Sequence, residues 1–241
     1  MNKNKQIFQL FRQWRLIAAA IFIATTTVIL ALDPPALDAA SNSNLTQTIN
    51  AGTLATDIKD ASRVTVASPS VAMSAAAFAF TCLTGGSAPT GTFGTNTQRI
   101  YVENPGAANN GWTLTLAATS GVTTLWQNGG ATENYDFNDT GGSGCTDGAD
   151  ADSKGGQLTV DPSVSTLTAD CSSCATTNIT KGSSTAYNQG TTDSVTLLTA
   201  AAASDNVGRW YLTGVGLSQT IPSDQTPDAY TINFTLTITA S

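Results

Sequence analysis

Near residue 230 the chain begins to alternate. Tyr230, Ile232, Phe234, Leu236 and Ile238 fall on one side, and Thr231, Asn233, Thr235, Thr237 and Thr239 on the other. A repeat of two is the repeat of a β-strand, and an apolar side backed by threonine is a strand buried on one face only. Trp112, Leu114 and Leu116 alternate with Thr113 and Thr115 in the same way. Further strands are expected at 63–66, 77–82, 98–103, 122–126, 157–160, 194–198 and 209–217, and no helical stripe follows residue 40. Turn residues punctuate them: Asn128-Gly129-Gly130, Gly155-Gly156 and Pro222-Ser223-Asp224. Asn104-Pro105-Gly106 and Asn109-Asn110-Gly111 divide two strong strands as a hairpin would. About ten short strands in some 200 residues predict an all-β chain, a single antiparallel β-sandwich with jelly-roll or Greek-key connections.

The first forty residues stand apart from that pattern. Lys3, Lys5, Arg12 and Arg15 precede 17 residues without a charge, 16–32, and then come Asp33-Pro34-Pro35 and the small residues Ala39-Ala40. Basic, apolar, breaker, small is the order of a secretory signal peptide. Seventeen apolar residues also reach the lower edge of a membrane span, so residues 1–40 are expected to be a signal peptide or an anchor helix. Residues 41–241 are then the exported domain. That part holds 6 basic and 15 acidic residues, a net charge of −9, which repels nucleic acid and anionic lipid. The membrane is met only through the N-terminal segment, if that is retained.

All four cysteines lie beyond the export signal, and an even count there predicts disulfides. Of the three possible connectivities, a local Cys171–Cys174 bridge with a long Cys82–Cys145 bridge is expected. The chain has no histidine, which removes the usual general base and the commonest metal ligand. With 11% charged residues and a threonine-rich surface, it is not expected to be an enzyme.

Residues 134–156 are rich in Gly and Asp and read as a long loop or insertion. Asp139, Asp147, Asp150 and Asp152 are candidate ligands within it. Asp150-Ala151-Asp152 before Gly155 partly echoes a calcium loop, and Ca2+ is the natural occupant of such oxygens outside a cell. A solvated acidic loop is the competing reading.

Around Gly111-Trp112-Thr113-Leu114-Thr115-Leu116, and again at Tyr230-Thr231-Ile232-Asn233-Phe234-Thr235-Leu236, the chain resembles the WxL domain of bacterial cell-surface proteins. Leu236 stands where that family has its second Trp, and Phe234 where it has an aliphatic residue. The resemblance implies a secreted domain that attaches without covalent bonds to cell-wall glycan or to neighbouring surface proteins. Trp112, Leu114, Tyr230, Phe234 and Leu236 would be its motif residues, for wall binding or for the core. The rival expectation is a self-assembling subunit of a fibre or surface layer. It rests on residues 45–54, a polar segment able to donate a strand to a second copy.

Overall fold

The computed structural model describes residues 46–106, 110–148, 154–202 and 207–241. The chain divides into two compact units, Met1–Thr48 and Ile49–Ser241. Of the first, only residues 46–48 are described, and they are exposed and in no regular element. The expected signal or anchor helix lies outside the described residues.

The second unit is built of antiparallel strands, with three short 3-10 turns and no α-helix among the described residues. In chain order the strands are β1 (Ala55–Lys59), β2 (Thr90–Phe93), β3 (Arg99–Asn104), β4 (Trp112–Ala118) and β5 (Trp126–Asn128). Then come β6 (Asn134–Tyr135), β7 (Gln157–Asp161), β8 (Thr166–Ala169), β9 (Ile179–Lys181) and β10 (Thr185–Ala186). The last five are β11 (Ser194–Ala200), β12 (Gly208–Thr213), β13 (Val215–Thr220), β14 (Tyr230–Thr231) and β15 (Phe234–Ala240). They form four sheets, ordered β1-β3-β12-β8, β10-β7-β13-β2, β15-β4-β11-β9 and β14-β5-β6.

The first two sheets share their strands across a crease. β12 runs into β13 through one residue, Gly214, at φ +81°. β7 reaches β8 through the 3-10 turn Pro162–Val164, and β2 reaches β3 through a turn closed between Thr95 and Gln98. All three interruptions fall on one row. Leu212 pairs with Ile100 and Val215 with Phe93, while Thr213 pairs with Thr166 and Gly216 with Asp161. On that row the Gly214 N–H donates to the Gly94 carbonyl at 2.8 Å, and Gly94 too has φ +81°. Only glycine takes that conformation without a Cβ penalty, so the two glycines let adjacent strands change sheet together.

The core lies between these sheets and the third. Trp112, Leu114, Leu116 and Ala118 of β4, with Val195, Leu198 and Ala200 of β11, pack with Ile100, Val102, Trp210, Leu212 and Val160. The Trp112 and Trp210 rings meet at 5.9 Å, both fully enclosed. The Trp210 indole N–H donates to the Ala175 carbonyl at 2.8 Å, whereas that of Trp112 has no partner. The opposite side of the third sheet is threonine: Thr115 lies beside Thr196 and Thr237, and Thr113 beside Thr199 and Thr239.

Several expected elements come out differently. The two strands around residues 104–111 are not a hairpin. β3 pairs with β1 and β12, and β4 with β11 and β15, so the connection crosses between layers. Gly111 permits it, since a Cβ there would sit 2.6 Å from the Ala200 carbonyl oxygen. The expected strand at 209–217 is two strands broken at Gly214. The long C-terminal strand is also two, because β4 ends at Ala118 opposite Phe234 and residues 230–231 pair instead with β5.

The strand expected at 63–66 is reduced to a single bridge. A turn at 61–62, where the Asp60 carboxylate accepts from the N–H groups of Ser62 and Val64 and Arg63 has φ +68°, brings Thr65 antiparallel to Lys59. The Val66 N–H donates to the Ile58 carbonyl at 2.9 Å. Residues 122–126 follow a turn at Gly121, φ +84°, and only Trp126 enters a strand. Residues 77–82 are irregular, in a stretch whose alanines weaken its preference for a strand. The segment 134–156 does not begin as a surface loop: Tyr135, Asp136, Phe137, Asn138 and Asp139 are all buried. Its Gly and Asp content masked the alternating aromatics, of which Phe137 packs edge-on against Tyr187 and Phe234. The cysteines pair as expected, Cys82–Cys145 and Cys171–Cys174, with Cα separations of 5.5 and 5.2 Å.

On the outer side of the first sheet Asp170 gathers two arginines. Arg63 grips it with two hydrogen bonds of 2.8 and 3.0 Å, and Arg209 Nε adds a third at 2.9 Å. The Arg63 hydrogen bond, seconded by Arg209, holds the Asp170 carboxyl below its ordinary pKa against a smaller opposing effect of burial. A depressed folded pKa contributes stability above the unfolded value of about 3.9 and loses it as pH falls through the folded one. Asp170→Asn therefore lowers Tm at neutral pH, and thermal melts of the two proteins converge as pH drops below about 4. A gap that persists unchanged into acid would show that charge is not its source.

Candidate functional site

Three aromatic side chains outside the main core form one wall of a cavity of about 460 Å³. The small sheet β14-β5-β6 positions them. Trp126 and Tyr135 are opposite each other in register, and Tyr230 enters one strand over, opposite Asn128. The Trp126 and Tyr135 rings are stacked at 5.9 Å with planes 10° apart, and Tyr230 meets Tyr135 edge-on at 5.1 Å. Such a cluster presents a broad, rigid apolar surface with polar tips.

Two of the three tips, those of Trp126 and Tyr230, are anchored by hydrogen bonds. Trp126 Nε1 donates to Gln219 Oε1 at 2.9 Å, and Gln219 Nε2 in turn donates to the carbonyls of Asp136 and Thr220. Gln219 is fully buried with both ends of its amide used, so it fixes the indole. The Tyr230 hydroxyl donates to the Thr226 carbonyl at 2.6 Å and accepts from Gln225 Nε2 at 2.8 Å. Burial pushes the Tyr135 hydroxyl well above the ordinary tyrosine pKa, with a smaller contribution from Tyr230, so it stays a neutral phenol. Asp228 sits on the rim. A hydrogen bond from Asn128 Nδ2 at 2.8 Å, then the Ala229 N–H, holds its carboxyl below the ordinary value.

The facing wall is an arm, residues 71–79, rich in alanine. It is held at its ends: the Ser74 N–H donates to the Thr90 carbonyl, the Asp224 N–H to the Ala79 carbonyl, and Leu83 exchanges two bonds with Ile221. Just beyond, the Cys82–Cys145 bridge ties the arm to the chain that follows β6. Residues 64–98 carry no Asp, Glu, Lys or Arg, so this wall is free of charge over its whole length. The cavity offers aromatic faces, amide and hydroxyl partners, and one fixed carboxylate at the rim. That combination is chemically suited to stacking against an uncharged ligand.

Of the motif residues expected from sequence, Trp112 and Leu114 are fully enclosed, and Phe234 and Leu236 are half-buried against the core. Tyr230 alone reaches the cavity. Of the candidate metal ligands, Asp139 is fully buried and Asp147 is exposed, while Asp150 and Asp152 lie outside the described residues. Among the described residues no group of three or more His, Cys, Asp or Glu side chains converges. Trp126, Tyr135, Gln219 and the arm were not singled out from sequence. The sequence signals only the arm, as an alanine-rich stretch at 72–79 without charge. No protein-family model, no curated protein and no solved structure matches the chain.

Proposed function

We propose that this chain is a non-catalytic domain displayed on a bacterial surface, where it holds wall glycan in the cavity between the arm and the β14-β5-β6 sheet. The observation that carries the reading is the Trp126–Tyr135–Tyr230 cluster, with Trp126 and Tyr230 fixed at their tips, open to a ligand-sized space. A pyranose ring has a C–H face that lies against aromatic rings and a hydroxyl edge that matches amides, so the lining suits sugar. Export is supported by the two disulfides, which form and persist in oxidising compartments. In this reading the four sheets close as one sandwich, and the WxL likeness describes its core strand β4 and the Tyr230 region. The wall contact then runs through Tyr230, not through the enclosed Trp112.

Co-sedimentation with purified sacculi, followed by calorimetry with soluble wall fragments, tests the proposal. Tyr230→Ala is expected to weaken binding at least tenfold, about 1.4 kcal/mol. Tyr230→Phe keeps the ring and loses only the hydroxyl contacts, so it should retain most of the affinity. Equal binding by wild type and Tyr230→Ala, or no binding to sacculi by the folded protein, overturns the assignment.

A further inference from the structure

The cavity carries a single charge. Among the described residues that line it, Asp228 is the only Asp or Glu, and no Lys or Arg is present. Its carboxylate is fixed from two sides: Asn128 Nδ2 donates to Oδ2 at 2.8 Å and the Ala229 N–H to Oδ1 at 2.7 Å. Asn128 is itself buried, lies opposite Tyr230 in register, and uses its Oδ1 on the N–H groups of Thr132 and Glu133. The same strand pair therefore holds both the Tyr230 ring and the carboxylate. Behind them Glu133 Oε2 accepts from Thr226 Oγ1 at 3.0 Å, and Thr226 also lines the cavity, so a second carboxylate stands at this edge.

The basic residues are gathered elsewhere. Of the six beyond residue 40, Lys59, Arg63, Arg99 and Arg209 lie on the outer side of the first sheet. There Lys59 pairs with Glu103, Arg63 and Arg209 with Asp170, and Arg99 stacks on the Tyr211 ring at 4.4 Å. Lys181 is bonded to the carbonyls of Ser163 and Ser165. Asp228 thus has amide donors but no cationic partner among the described residues. A carboxylate so placed disfavours an anion and attracts a cation, and aromatic faces add to the attraction. An aromatic wall with one carboxylate at its edge matches a ring with one ammonium at its edge. In a hexosamine whose nitrogen is not acylated, the amine is one bond from the ring, so a stacked ring directs its ammonium sideways to the rim.

We propose that Asp228 makes this cavity select a sugar with a free, protonated amine over its N-acetylated counterpart. The inference rests on the glycan reading of the cavity and adds the charge of the sugar that it takes.

Calorimetry of the full chain with two hexosamine tetrasaccharides, one fully N-acetylated and one with free amines, reads the preference as a ratio of affinities. The ratio should favour the amine on the order of fivefold at about 0.01 M salt and approach one at about 1 M, because a rim charge is screened. In Asp228→Asn and in Asp228→Ala it should fall to about one at low salt, whereas Tyr230→Ala should weaken both sugars together. Equal affinities in the wild type overturn the inference, and so does a preference that survives both Asp228 substitutions, which would mark general attraction to an acidic protein. Nα-acetyl-lysine amide, an amine without a sugar ring, should not compete. Competition as strong as that of the sugar amine would make the ligand a peptide amine and overturn the inference as well. Failure of both sugars to bind overturns it outright, and sacculus binding then says separately whether the glycan reading stands.

Discussion

Trp112→Ala is expected to cost about 3–5 kcal/mol, because it deletes a fully enclosed indole at the contact between two layers. For a unit of this size that lowers Tm by roughly 6–20 °C. Much of the loss is the cavity left against Trp210, which is held by its own hydrogen bond to Ala175 and cannot collapse into the space. Trp112→Phe discriminates. The Trp112 indole N–H is buried without a partner, so phenylalanine gives up volume but also removes an unsatisfied donor. The Phe protein should therefore recover more than half of the alanine deficit in a denaturant melt. Equal deficits for Phe and Ala would show that the indole N–H has a role in the core.

Removing the long disulfide should have an effect of the same order. Cys82 and Cys145 are 63 residues apart, and closing a loop of that length constrains the unfolded chain by about 4 kcal/mol. The Cys171–Cys174 bridge spans 3 residues, and the same relation gives it less than half of that. Cys82→Ala with Cys145→Ala is expected to lower the denaturation midpoint markedly and to open the arm to chymotrypsin at Phe78 and Phe80. Cys171→Ala with Cys174→Ala should leave the arm protected. Thiol titration of the unfolded, unreduced wild type should find no free thiol. Arm cleavage that is equally fast in both double variants would show that the bridge does not restrain the arm.

Alternation made β4, β7, β11 and β15 legible, because each is half-buried or flanked by a threonine face and the signal repeats over several residues. It failed where a single residue interrupts it. Gly214 sits inside an unbroken-looking run, and only the neighbouring strands reveal that the sheet changes there. It also failed for pairing: a Gly/Asn-rich connection after a strong strand suggests a hairpin, but partner choice depends on which faces are left over in strands far away. The cavity was hidden for a related reason. Trp126, Tyr135 and Tyr230 are separated by 9 and 95 residues, and they meet only because β5 takes one partner from each direction. Tyr230 heads an alternating run, and the same alternation groups it with core residues that point elsewhere.

The pairing of β4 bears on when the domain can fold. On one side it joins residues 194–200, and on the other residues 234–240. β3 likewise joins β12, more than a hundred residues later. Such non-local contacts repay their loop-closure cost late, so folding is expected in the range of milliseconds to seconds rather than microseconds. Until residue 240 is available, the third sheet lacks a strand and the core has no lid over Trp112. A chain crossing a membrane on the export reading would thus remain loose and threadable throughout its passage, and only the completed chain on the far side could condense.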